Sequence, residues 1–284
     1  MNGPRTIALD LPAGRFRLLE WQGRQPPALF LHGLSGVAEV WGPTIAALGA
    51  DRPQCLALDQ RGHGHSPKPP TGYTIGEYVN DAIAVIDRLG LAPVDLVGHS
   101  MGARVAMVLA ARTPELLRSV SIIDIGPEAW KANYEQTVAG IDNMPASFPS
   151  MEDAVAGAAR SRAAESTDAA LRAAQRQSIA RARLQTAPDG TVTWLASREA
   201  LKQSVVSQRS RAYWNEWKRI RPPALLIRGG ASTELRQHIC DRMRVTNPAV
   251  RFAEFDGVGH NVPLLAPERL ASELTEFWNQ LSAS

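Results

Sequence analysis

The stretch Gly98-His99-Ser100-Met101-Gly102 offers a nucleophile. It lies between an apolar run, Val94-Asp95-Leu96-Val97, and a helical pattern that begins at Met101. A G-x-S-x-G match in that strand-to-helix setting is the signature of a serine held on a sharp turn. Such a corner excludes side chains two residues before and two after the serine, because they would clash there. Gly98 and Gly102 meet that demand. The helix beyond aims its first amides at the reacting oxygen, so the Met101 N–H is expected to hold a developing oxyanion. A second donor is expected at the Leu34 N–H, in Leu31-His32-Gly33-Leu34-Ser35-Gly36, where a His-Gly turn lets the backbone approach the same point. His32 belongs to that turn and is read as the residue that pins it. The chemistry these groups could do together is acyl transfer.

A serine hydroxyl needs a base to take its proton. His260, in Asp256-Gly257-Val258-Gly259-His260, follows the last strand pattern and precedes the last helix. A loop in that position can reach over the edge of a sheet, and serine before histidine is a known chain order for the pair. The other histidines have structural readings. His99 adjoins Ser100 on a strand and is expected to point to the opposite face; His63 and His65 lie in a Gly-rich turn, and His238 falls in a helix.

The elements that must position these groups alternate between short runs of Val, Ile and Leu and longer amphipathic stretches, the rhythm of parallel strands joined by crossover helices. Strands are expected near 4–9, 14–21, 27–31, 53–58, 93–97, 118–124, 223–228 and 250–255, the first two as an antiparallel hairpin, and helices near 37–49, 74–89, 101–112, 234–245 and 266–282. The class is α/β, with a mostly parallel eight-stranded sheet flanked by helices. Between 127 and 219 the rhythm gives way to an Ala-, Arg- and Gln-rich stretch of helical spacing, too long for one crossover. It reads as a helical cap, residues 127–219, inserted after the sixth strand of a core formed by 1–126 and 220–284. Arg160, Arg162, Arg172, Arg176, Arg181 and Arg183 of the cap are read as solvated, although one turned inward would clamp a carboxylate. Trp130, Tyr134, Trp194, Tyr213, Trp214 and Trp217 are expected to build the cap's own small core, with one or two walling a pocket.

Composition narrows the partners. Lys and Arg number 31 against 28 Asp and Glu, a net charge of +3 without a basic run, which excludes a nucleic-acid footprint. Cys55 and Cys240 stand far apart without metal-ligand spacing, so neither a disulfide framework nor a zinc site is indicated and a reducing cytoplasm is the default. The first residues lack a signal-peptide pattern and no window is long and apolar enough to span a membrane, so no membrane partner is expected.

LHGLSG, LDQRGHGHS, GHSMG and GVGH, in that order, resemble the α/β-hydrolases over the chain from about residue 15 to the end, the cap excepted. Within that family the chain resembles the (E)-2-(acetamidomethylene)succinate hydrolases, through DQRGHGHSPKPPTGY, LVGHSMGAR, RSVSIIDIGP and RGGAST, and the resemblance extends to enol-lactonase-like and esterase-like members. The resemblance implies the α/β-hydrolase fold, a Ser-His-acid triad, and no metal or organic cofactor. It also implies a structural role for Asp59 and Arg61 as pins of their loop.

Most relatives carry the acid in the loop after the seventh strand, which here reads Arg228-Gly229-Gly230-Ala231-Ser232-Thr233-Glu234-Leu235. Ser232 stands where the carboxylate would be, and a hydroxyl cannot stabilise an imidazolium by charge. Asp124, at the end of the sixth strand, is the expected replacement, since that edge faces the same crevice and some family members place the acid there. Glu234 is the alternative acid, and a dyad or an inactive site the remaining one. The expected function is hydrolysis of a small carboxylic ester, lactone or amide by Ser100, His260 and Asp124. A serine in place of an aspartate disfavours dehalogenase and epoxide-hydrolase chemistry. C–C bond hydrolysis on the same fold, or a catalytically idle ligand-binding homologue, are the alternatives, and a homo-oligomer is compatible with the sequence.

Overall fold

The computed structural model describes residues 3–128, 131–160 and 177–282. Among the described residues ten strands run in chain order: β1 (Arg5–Leu11), β2 (Gly14–Trp21), β3 (Arg24–Leu31), β4 (Pro53–Leu58), β5 (Val94–His99), β6 (Leu117–Ile123), β7 (Leu184–Thr186), β8 (Val192–Trp194), β9 (Ala224–Gly229) and β10 (Arg251–Phe255). Eight of them form one sheet in the order β1-β2-β4-β3-β5-β6-β9-β10. β2 is antiparallel to both of its neighbours, and the strands from β4 to β10 within the sheet are parallel. The eight-stranded α/β architecture read from the sequence is therefore present.

Alternation along the strands divides the core into two layers. Leu29, Leu31, Leu96, Ile122 and Leu226 pack on one face, against α2 (Ile75–Leu89), α3 (Met101–Arg112) and α8 (Gln237–Thr246). Ala28, Phe30, Val97, Ile123 and Ile227 pack on the other, against α1 (Gly42–Ala47), α9 (Val262–Leu265) and α10 (Pro267–Ser282). A sheet covered on both faces explains why β5 is buried from end to end. α2 shows how sequence sets a boundary: Thr74 and Glu77 close a capping box at its start, and Gly90 at φ +61° ends it.

The chain steps outward from β3 to β4 and then returns to place β5 on the other side of β3. Strand order thus reverses between β3 and β5, and ligands of open α/β sheets bind beyond the carboxyl ends of strands at such a point. The loops after Leu31 and His99 both open there.

Between β6 and β9 lie α4 (Lys131–Asp142), α5 (Met151–Arg160), the antiparallel ribbon β7–β8, α6 (Arg198–Arg209) and α7 (Trp214–Lys218). The ribbon departs from the all-helical expectation, and strands of three residues are too short to show a two-residue period. The helix expected over 37–49 is a 3₁₀ turn, Ala38–Trp41, running into α1. Tyr213 and Trp217 also differ from expectation: both are buried in the main core, and the Trp217 indole donates to Met243 O at 2.9 Å. Trp130 lies outside the described residues.

Candidate active site

Ser100 occupies the corner between β5 and α3 with φ +54° and ψ −119°. Its N–H donates to Ile123 O of β6 at 3.0 Å, and its carbonyl accepts from Ala103 and Arg104 N–H at 3.0 and 3.1 Å. These bonds hold a backbone conformation that L residues rarely adopt. Both flanking glycines are required by contact: a Cβ on Gly98 would sit 2.3 Å from Gly102 O, and one on Gly102 would sit 2.2 Å from Leu31 O.

His260 comes from the loop after β10. Its Nε2 lies 2.9 Å from Ser100 Oγ and its Nδ1 lies 2.7 Å from Asp124 Oδ2. Asp124 is fully buried, with φ +53°. Its Oδ1 accepts from Gly229 N–H at 2.8 Å, and Oδ2 accepts from the Ser232 hydroxyl as well as from His260. Three donors converge on one buried carboxylate, the company that a charge removed from water needs. Glu234 takes another place. Its N–H donates to Ser232 Oγ at 3.1 Å, and no hydrogen bond joins its carboxylate to His260 among the described residues.

His99 corrects an expectation. Its ring is not turned away from the site but packs beside His260, with centroids 4.9 Å apart, and its Nε2 is 2.8 Å from His260 O. The left-handed backbone at Ser100 breaks the strand alternation on which the opposite-face expectation depended. His32 Nε2 accepts from Gln60 N–H at 3.1 Å, with Nδ1 2.8 Å from Gly33 O, so this ring pins its turn. Burial pushes the pKa of His32 down, and that of His63 down to about 3. Asp59 accepts from Ala38 N–H, His65 N–H and Arg17, while Arg61 grips Asp81 with two bonds of 2.5 and 2.6 Å. Both act as loop pins.

Ser100 and His260 open onto a cavity of about 560 Å³, which Leu34 and Met101 border on the sheet side. Met101 begins α3, so its N–H has no intrahelical partner. Tyr134, Phe148, Trp194 and Leu201 line the cavity from the 127–219 segment. Of the arginines read from that segment, Arg183 lines it and Arg181 is exposed. The Arg160 side chain and Arg162, Arg172 and Arg176 lie outside the described residues. Among the described residues no group of three or more His, Cys, Asp or Glu is gathered as a metal site, and no helix is long and apolar enough to cross a membrane.

Residues 28–273 match the alpha/beta hydrolase family. The chain belongs to that family. This alpha/beta hydrolase is 31% identical over 277 residues, 95% of each chain, to a 2-(acetamidomethylene)succinate hydrolase of Mesorhizobium japonicum. A crystal structure of E-2-(acetamidomethylene)succinate hydrolase superposes with a TM-score of 0.89 at 28% identity, covering 97% of this chain and 99% of that one. A 2-hydroxymuconate semialdehyde hydrolase of Pseudomonas putida is 37% identical over 130 residues, 43% of this chain and 46% of that one.

The hydrolase carries one cavity residue that sequence reasoning passed over. Arg104 interrupts the apolar helix Met101–Arg112 and is buried. A charge inside an otherwise apolar helix, one turn after the serine, is the signal that could have found it.

Proposed function

We propose that this alpha/beta hydrolase cleaves a small carboxylic ester, lactone or amide through an acyl-enzyme on Ser100. Ser100 Oγ attacks the carbonyl carbon while His260 Nε2 takes its proton. The oxyanion is held by the N–H groups of Leu34 and Met101. Collapse breaks the bond to the leaving group, which His260 protonates. His260 then takes a proton from water, whose oxygen attacks the acyl carbon; as the bond to Ser100 Oγ breaks and the acid is released, His260 returns that proton to Oγ. Asp124 holds the imidazole tautomer and stabilises its charged form. Residues 127–219 cap the site, and the side chains from that segment that line the cavity support this. The name of the Mesorhizobium relative contains an acetamido group, which keeps amides in the substrate set beside esters and lactones. A cytoplasmic protein acting on small molecules, without nucleic acid or membrane as partner, belongs to the same reading.

The observation that carries the proposal is the unbroken pair of hydrogen bonds from Asp124 through His260 to Ser100, at 2.7 and 2.9 Å. It disfavours an idle binding homologue, for which nothing would maintain that alignment. A fluorophosphonate should label one site, Ser100, and Ser100→Ala should abolish the label while preserving the circular dichroism spectrum. Absence of label from every residue would overturn the reading.

Likeness to a 2-hydroxymuconate semialdehyde hydrolase favours a second reading, hydrolysis of a C–C bond. Comparing p-nitrophenyl acetate with vinylogous diketones separates the two, since a C–C hydrolase would turn over the diketones and an ester or amide hydrolase would not.

A further inference from the structure

Arg104 is a cation without a paired anion. Its guanidinium donates to Gln208 Oε1 at 2.8 Å, Gly126 O at 3.0 Å and Glu128 O at 3.4 Å, all neutral acceptors. The Tyr213 ring lies 5.9 Å from its Cζ. The residue is 2% exposed, and no carboxylate lies within ion-pair distance of it among the described residues. Nε, itself buried, has no hydrogen-bond partner among the described residues. Burial lowers its pKa to about 10, so the side chain stays charged at neutral pH. A buried charge left unpaired is costly, and buried charges are paired as a rule.

The place of this charge gives it a use. Arg104 N–H closes the first turn of α3 onto Ser100 O at 3.1 Å, and side chains four residues apart share a helix face. Arg104 lines the same cavity as Ser100 and His260. Two carboxylates also border that cavity: Glu128 accepts from the Trp214 indole at 2.8 Å, and Glu234 acts on Arg104 only through space.

We propose that Arg104 is the anchor for a carboxylate of the substrate, so that the acyl compound cleaved at Ser100 is a short-chain acid whose free carboxylate sits a few bonds from the scissile carbonyl. This inference rests on the proposal that Ser100 is the nucleophile, and it narrows the substrate class from small acyl compounds in general to anionic ones. A planar fork of donors beside a low-dielectric cavity suits a carboxylate, and the bound anion supplies the charge that the fold leaves out. Arg104 also ties α6 to the core through Gln208, so the test must separate anchoring of substrate from anchoring of the cap.

The probe is a pair of esters with one leaving group, mono-4-nitrophenyl glutarate and 4-nitrophenyl pentanoate, each corrected for its spontaneous hydrolysis. The wild-type ratio of kcat/KM should favour the glutarate by about ten- to a hundred-fold, the worth of one or two charge-assisted hydrogen bonds. Arg104→Met should bring the ratio to near unity, chiefly through KM for the glutarate; Arg104→Lys should keep part of it, and Gln208→Ala should keep most of it. A wild type indifferent to the charge, or an Arg104→Met ratio equal to wild type, overturns the assignment, as does a ratio lost equally in Gln208→Ala. Calorimetric binding of glutarate to Ser100→Ala, against Ser100→Ala carrying Arg104→Lys, reads the anchor without turnover. Arg104-dependent binding with neither ester cleaved leaves the anchor standing and defeats serine hydrolysis. Glutarate binding that ignores Arg104 defeats the anchor alone.

Discussion

Ser100 and Asp124 leave adjacent parallel strands with nearly the same positive φ, +54° and +53°. The Ser100 N–H donates to the carbonyl of Ile123, the residue before Asp124, so hydroxyl and carboxylate are fixed to one edge by the sheet itself. Only the imidazole arrives by a separate loop. An acid at this position is oriented by strand register: the Asp124 N–H donates to Ile227 O of β9 at 2.9 Å, and the Gly229 N–H of the same strand donates to its Oδ1 at 2.8 Å.

Replacing that carboxylate by its amide tests the arrangement. Asp124→Asn keeps an acceptor for Gly229 N–H and tolerates positive φ. Its side chain can force the wrong imidazole tautomer, and the same change in a serine-protease triad costs about 10⁴-fold in kcat. The expected outcome is a loss on that scale with the thermal midpoint close to wild type. Full turnover in Asp124→Asn together with inactivity in Glu234→Gln would move the acid to Glu234.

Ser232, in the loop after β9, shares Asp124 Oδ2 with His260. It is a positioning residue: removing its hydroxyl leaves Oδ2 free to swing out of line with the imidazole. Ser232→Ala should lower kcat about ten-fold, the worth of one hydrogen bond to a charged group, with KM little changed. Ser232→Thr, which restores the hydroxyl, should recover most of the loss. A kcat in Ser232→Ala equal to wild type would reduce Ser232 to a turn residue.

Much of this site could be read before the fold was seen, and the reasons differ by residue. Ser100 announces itself because its corner admits glycine alone on both sides, a steric demand written directly into composition. Asp124 is reached by subtraction, from the acid missing after the seventh strand, with Glu234 left as the alternative, and it is Asp124 whose carboxylate lies 2.7 Å from His260 Nδ1. His99 was misread because alternation holds only while the backbone is extended, and the strained corner begins one residue later. Tyr213 and Trp217 were assigned to the cap by chain position, whereas burial against the main core decides their place. Arg104 was passed over because a helix pattern gives no sign of which cavity a buried cation will border.

His63 gives the fold a pH dependence of definite sign. Burial holds its folded pKa at about 3, against 6.5 for the free side chain. The folded state keeps the ring neutral while the unfolded chain binds a proton below about pH 6.5, so the stability present above that pH is lost as the pH falls toward the folded value. The contribution is about 1.4 kcal/mol per pH unit for one histidine, or about 2 kcal/mol by pH 5. His63→Asn keeps an N–H donor for Arg61 O, which His63 Nδ1 meets at 2.8 Å. Urea unfolding between pH 7.5 and 5 should show a shallower fall in the variant by about that amount; parallel curves would mean that His63 does not enter the linkage.

Trp194 walls the cavity from the small ribbon, packed edge-on against Phe148 at 5.5 Å and tied by its indole N–H to Pro145 O at 3.1 Å. It is only partly buried, so Trp194→Ala should cost less than the about 3–5 kcal/mol of a fully enclosed tryptophan. The effect on substrate choice should be larger. Removing the ring enlarges the cavity onto which Ser100 opens, so kcat/KM for 4-nitrophenyl hexanoate relative to the acetate should rise about ten-fold, as a few newly buried methylenes would give. An unchanged chain-length profile would show that acyl chains leave the site by another wall, and would place Trp194 among residues that shape the cap without touching substrate.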